Sequence, residues 1–325
     1  MFHMRVFAVV AALTLCAASF LDADVTIRYE TDLKPATVLP PALAAAFLNP
    51  AKAIGGSSSF RMKGNKGLST SGAFTTIVDA TTQEMTLIDT ARKTFATIPA
   101  SQFGDRILAA MPQLPANPAV QAEAAANPPK VASKITGRTE VIQGVQAEER
   151  EITFTIDMPA FPDMPQTGPA MKIVVQIWTA KPEEALRNPA IRDLVAFKAW
   201  QKYFVNQADM MRKFAAMMPG AADSMASMFE QMQKDQAVPM RTHMDLYAPI
   251  FAALAGQLEP QPGQAPAPAM DPASPLIQVD QQVVELSTTP LDAALFEVPR
   301  DYSAVPIDDM IKGMMQAFSA GAPRQ

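Results

Sequence analysis

The chain has 325 residues, of which 49% are hydrophobic and 18% charged, with a formal net charge of −5. This composition supplies a full-sized core and excludes a disordered chain, and the mild acidity leaves no electrostatic footprint for nucleic acid. One cysteine and two histidines exclude cysteine- and histidine-rich metal centres, whereas 29 prolines and 21 methionines stand out.

Arg5, the apolar run from Val6 to Ala18, and Asp22 and Asp24 beyond it read as a signal peptide over 1–23. The run is too short for a membrane span. Leu15 stands where a lipobox requires a small residue, so Cys16 is expected to leave with the peptide. The expected location is periplasmic or secreted, and no disulfide staples the mature chain.

Val25, Ile27 and Tyr29 alternate with polar neighbours, which predicts a strand; "PALAAAFL" then predicts a short helix. "SSSFRMKGNKG" is a strand running into a turn. Residues 74–79, 84–89 and 94–98 form an antiparallel meander rich in β-branched and aromatic residues. In its strands at least one of each adjacent apolar pair, such as Ile77/Val78 and Leu87/Ile88, is expected to be buried. Residues 108–130 are an Ala/Pro-rich insertion. A hairpin about Gly144 fills 134–158, a loop follows, and "KIVVQIWTA" is the next strand.

Residues 183–236 predict a Met-rich helical segment. Its main helix, about 190–218, carries Phe197, Trp200, Phe204, Met211 and Met218 on one face and Lys198, Lys202, Arg212 and Lys213 on the other. Met225, Met228, Phe229 and Met232 share a face of a second helix. "VPMRTHMDLY" returns to period two, with Arg241, His243, Asp245 and Tyr247 on its polar side. A Pro/Ala/Gln linker (259–275), a strand in "PLIQVDQQVVELST" and the closing "PLDAALFEVPRDYSAV" lead to an amphipathic helix and tail at 307–325.

These residues carry little chemistry. His243 is the sole histidine after residue 23, no Gly-x-Ser-x-Gly elbow presents a serine, and "KGNKG" is too short for a phosphate loop. Glu148, Glu149 and Glu151 read as a solvated strand face. Neither enzymatic activity nor a cofactor nor a metal is expected. The methionines admit three readings: an adaptable core, an adaptable apolar lining for a ligand, or, more weakly, Cu(I) capture by Met225, Met228 and Met232. Helix 190–218, aromatic on one side and basic on the other, also suits peripheral membrane contact.

"FRMKGNKG", "IVDATTQEMTLIDTARKTFATIP", "IQGVQAEEREITF", "QIWTA" and "ALFEVPRDYSAV" together resemble the LolA/LolB-like superfamily of periplasmic lipoprotein carriers. They resemble still more a bacterial exported family of unknown function with the same apparent fold. The resemblance covers most of 24–306; the Met-rich segment and the 259–275 linker depart from it. It implies a mainly β (α+β) domain, a curved antiparallel sheet or incomplete barrel with helices on the concave face. It also implies an apolar ligand, a lipid or lipidated partner, between sheet and helices, with Phe197, Trp200, Phe204, Met211 and Met218 as candidate contacts. The rival expectation is a ligand-free structural or envelope-interaction protein. N-terminal sequencing of protein from the producing cell should find a mature chain beginning between Phe20 and Asp24; an intact Met1 would contradict export.

Overall fold

Among the described residues there are twelve strands, most of them stretches of alternating apolar and polar residues, and all of them join one sheet. The computed structural model describes residues 24–35, 56–110, 129–157, 169–204, 238–249, 271 and 273–320. The strands are β1 (Val25–Pro35), β2 (Gly56–Lys63), β3 (Lys66–Ser71), β4 (Phe74–Asp79), β5 (Glu84–Asp89), β6 (Thr94–Pro99), β7 (Lys130–Ile142), β8 (Val145–Asp157), β9 (Pro169–Ala180), β10 (Pro239–Tyr247), β11 (Ile277–Ser287) and β12 (Ser303–Ala304). Their order is β12-β6-β5-β4-β3-β2-β1-β11-β10-β9-β8-β7, and the two ends do not pair, so the sheet is not closed into a barrel. β1 is the seam. It pairs antiparallel with β2 on one side and with β11 on the other, and a meander runs outward from each.

Every pairing is antiparallel except β12 with β6, where Ser303 N donates to Lys93 O and Val305 N to Phe95 O. The sequence pattern predicted that the 290–306 stretch closes the sheet. A two-residue parallel strand carries no periodicity, so its pairing was not legible there. The β7–β8 hairpin turns on Gln143 and Gly144, both with positive φ (51° and 77°). That conformation matches the twist of the flanking strands, and Gly144 adopts it without steric cost.

The helices are α1 (Ala100–Ala110), α2 (Glu184–Arg187), α3 (Pro189–Phe204) and α4 (Ile307–Ala320). Cross-strand partners share a face. The register therefore places Val25, Ile27, Phe60, Met62, Val78, Met85, Leu87, Ala96 and Ile98 on one face of the β1–β6 half. α1 packs there through Ala100 and Phe103, α4 through Ile307 and Met310, and α3 through Ile191, Leu194 and Phe197. The opposite face, with Leu68, Ile77, Ile88 and Phe95, is covered by Leu291, Phe296, Val298 and Tyr302. Both members of the pairs Ile77/Val78 and Leu87/Ile88 are buried because both faces are covered.

α3 begins where the sequence directs it. Asn188 Oδ1 accepts from the Ala190 and Ile191 amides at 3.0 and 3.3 Å, and Pro189 occupies the first helical position. α1, with Ala100, Phe103 and Ile107 at helical spacing, precedes the stretch read as an insertion and ends three residues into it, at Ala110. α4 matches the amphipathic helix expected at the C-terminal end. Residues 1–23, the "PALAAAFL" helix, 111–128, 158–168, 205–237 and 250–270 lie outside the described residues. The readings placed on them, including Met211, Met218, Met225, Met228 and Met232, lie outside with them.

Phe197 seats α3 on the sheet. Its ring lies 4.9 Å from that of Phe60, and a Cβ added at Gly67 would meet Phe197 Cζ at 2.5 Å. Gly67 is thus the residue that admits the ring. Gly67→Ala should cost about 1–3 kcal/mol of stability by overpacking. Phe197→Ala should cost about 3–5 kcal/mol. In the Phe197→Ala background the Gly67→Ala cost should largely vanish, as denaturant unfolding of the three variants would read.

Candidate ligand-binding face

The β8–β11 half of the sheet is built differently from the half beyond β1. Register aligns Phe154, Ile173, Leu246 and Ile277 across β8, β9, β10 and β11. The next row aligns Ile152, Val175, Met244 and Val279 and continues to Leu33 of β1. Leu33 shares a face of β1 with Ile27 and Tyr29. Five strands at ~4.8 Å spacing make the second row roughly 19 Å long. Ile152 and Ile277 are buried, whereas Phe154, Ile173, Val175, Met244, Leu246 and Val279 remain partly exposed.

The intervening positions carry polar rows on the other face. One comprises Glu151, Gln176, His243, Asp280 and Asp32; its neighbour comprises Thr153, Val174, Asp245, Gln278 and Lys34. Their side chains are bonded across strands. Lys134 pairs with Glu151 at 2.8 Å, Gln278 Nε2 donates to Asp245 at 2.9 Å, and Lys34 pairs with Asp280 at 3.3 Å. The Lys134 hydrogen bond holds the Glu151 carboxyl below its ordinary range, against the opposing effect of burial. The Arg241 guanidinium lies 5.6 Å from the Trp178 ring and bonds Glu140 at 2.6 Å and Gln282 at 2.7 Å.

Glu149 corrects the solvated-face reading of the acidic run. It is fully buried and ion-paired with Arg138, and its Oε2 has no hydrogen-bond partner among the described residues. An irregularity in β7 between Ile135 and Thr139 brings Arg138 over it, with Gly137 at φ 77° and Thr136 Oγ1 accepting from the Arg138 amide at 3.2 Å. A buried carboxylate requires such a partner. The pairing depends on a bulge that residue pattern does not announce.

Of the candidate contacts, Phe197 is buried between α3 and the sheet. Trp200 and Phe204 lie on α3, but their side chains fall outside the described residues, as do Met211 and Met218. The apolar rows of β8–β11 were not singled out as a site, although their alternation was legible; only register shows that they align. A second feature is a cleft of about 650 Å³ at the other end of β11. It lies between the β7–β8 turn, α2 and the start of α3. Among the described residues no group of three or more acidic, histidine or cysteine side chains could hold a metal ion, and no helix is long and apolar enough to cross a membrane.

No family model matches the chain, and no curated protein matches it. Among solved structures, the crystal structure of LprF from Mycobacterium bovis matches at 11% identity, covering 88% of this chain and 92% of that one, with a TM-score of 0.25. So loose a superposition carries no argument about fold or ligand.

His243 gives the polar face a measurable pH dependence. Its Nδ1 lies 2.6 Å from Asp280 and its Nε2 lies 3.2 Å from Asp245. Burial alone would lower its pKa, but the Asp280 hydrogen bond and the two carboxylate charges outweigh burial and raise it. Asp280 shifts the opposite way, its burial outweighed by the histidine and Lys34. The histidine's contribution to stability is full below its ordinary ~6.5 and fades as pH rises through the higher folded value. The Asp280 contribution is lost as pH falls through its lowered folded value. Urea midpoints should therefore fall between pH 5.5 and pH 8.5 in the wild type, and His243→Gln should flatten that fall.

Proposed function

We propose that the protein is an exported, non-enzymatic binder of an apolar ligand, a lipid chain or a lipidated partner. The ligand lies along the aligned apolar rows of β8–β11. The observation that carries this reading is the pair of aligned apolar rows, partly exposed over four strands and backed by a polar face. Large exposed apolar patches mark interaction sites more often than chance placement. Met244 sits in one row, and methionine adapts to a ligand of irregular shape. Phe197 then serves as the anchor of α3 and not as a ligand contact. Trp200, Phe204, Met211 and Met218 remain the candidates on the helical side.

One observation favours the rival reading of a ligand-free scaffold: at Phe197 the helix touches Gly67 with no space between. Titration with a fluorescent fatty acid separates the two. The carrier reading expects saturable binding, weakened at least tenfold by Val175→Asp and unchanged by Gln176→Ala on the opposite face. An absence of binding, or equal effects of the two substitutions with thermal midpoints preserved, would overturn it.

A further inference from the structure

We propose that the cleft at the β7–β8 turn is a second binding site, for a small ligand of the amino-sugar type that bears an ammonium group beside hydroxyls. Three elements that are distant in sequence build it. The hairpin end gives Val141, Gln143 and Gln146; the α2–α3 corner gives Glu184, Arg187 and Asn188; the end of β11 gives Leu286 and Thr288. Its volume of about 650 Å³ falls in the range of small-molecule pockets, ~300–1,000 Å³.

Glu184 sets the charge preference. It is only 7% exposed as a residue and lines the cleft, and among the described residues no hydrogen bond or ion pair engages its carboxylate. It does not cap α2 either. Its oxygens are not sealed from solvent, and in the cleft that Glu184 lines an ammonium ligand would supply donors and an opposite charge. The Gln143 and Gln146 amides and the Thr288 hydroxyl each both donate and accept, which matches hydroxyls better than a bare alkyl ammonium. Val141, Leu286, Pro189 and Ala190 offer apolar surface for a carbon ring.

This site is separate from the apolar rows. Val279 in the row and Leu286 in the cleft are seven positions apart on β11, roughly 24 Å at ~3.4 Å per residue.

Calorimetric titration of the intact protein with glucosamine, glucose and butylamine tests the proposal. Glucosamine should bind more tightly than either glucose or butylamine, and Glu184→Gln should weaken it at least tenfold. Thr288→Val, at an exposed position, should weaken it severalfold without moving the thermal midpoint, which keeps the test valid if Glu184→Gln fails to fold. No glucosamine heat, binding indifferent to both substitutions, or butylamine binding as well as glucosamine would overturn it.

Discussion

β1 hydrogen-bonds to β2 along one edge and to β11 along the other, so strands from the two ends of the chain meet in the middle of the sheet. Gln281 donates to Thr31 Oγ1 across this seam, 250 positions away in sequence. Every other feature depends on that pairing. It joins two meanders that would otherwise be separate sheets, and it gives α3 a continuous floor of Val25, Ile27, Met62 and Val283. Long-range pairing of this kind is also slow to form, because loop-closure entropy precedes the contacts that offset it.

The two halves joined at the seam spend their apolar surface differently. In β3–β6, one face meets α1 and α4 and the other meets the 291–302 stretch, so neighbouring residues are buried on both sides. In β8–β11, one face is charged and cross-linked by Lys134–Glu151, His243–Asp280 and Lys34–Asp280. The other is apolar and partly open. A protein does not retain such a surface cheaply in water, which is why function is sought there and not in the doubly covered half.

Much of the fold was legible in the sequence because period two is a strong signal where strands alternate. The 74–99 meander, the Gly144 hairpin, the polar side of β10 and the amphipathic helix at Ile307–Ala320 follow from it. The rest depends on geometry that pattern does not encode. The α1 helix, most of it ahead of the Ala/Pro-rich insertion, was not predicted. The β12 strand has two residues. Glu149 is buried only because a β7 bulge delivers Arg138. The candidate site was legible in part for the same reason: the stripe on α3 shows in spacing, and Phe197 does face the sheet. Alignment of Ile152, Val175, Met244 and Val279 on four strands requires the register. The cleft around Glu184 joins residues up to 147 positions apart, from Val141 to Thr288, and leaves no local trace.

Native mass spectrometry of the protein purified from the envelope fraction of its own producing cells, without detergent exchange, bears most directly on the apolar-ligand reading. The account predicts a population carrying additional mass that delipidation removes and that tandem dissociation identifies as an acyl-chain compound. A single bare mass under conditions that preserve other lipid–protein complexes would contradict it and favour a sheet whose apolar rows are filled by the chain itself.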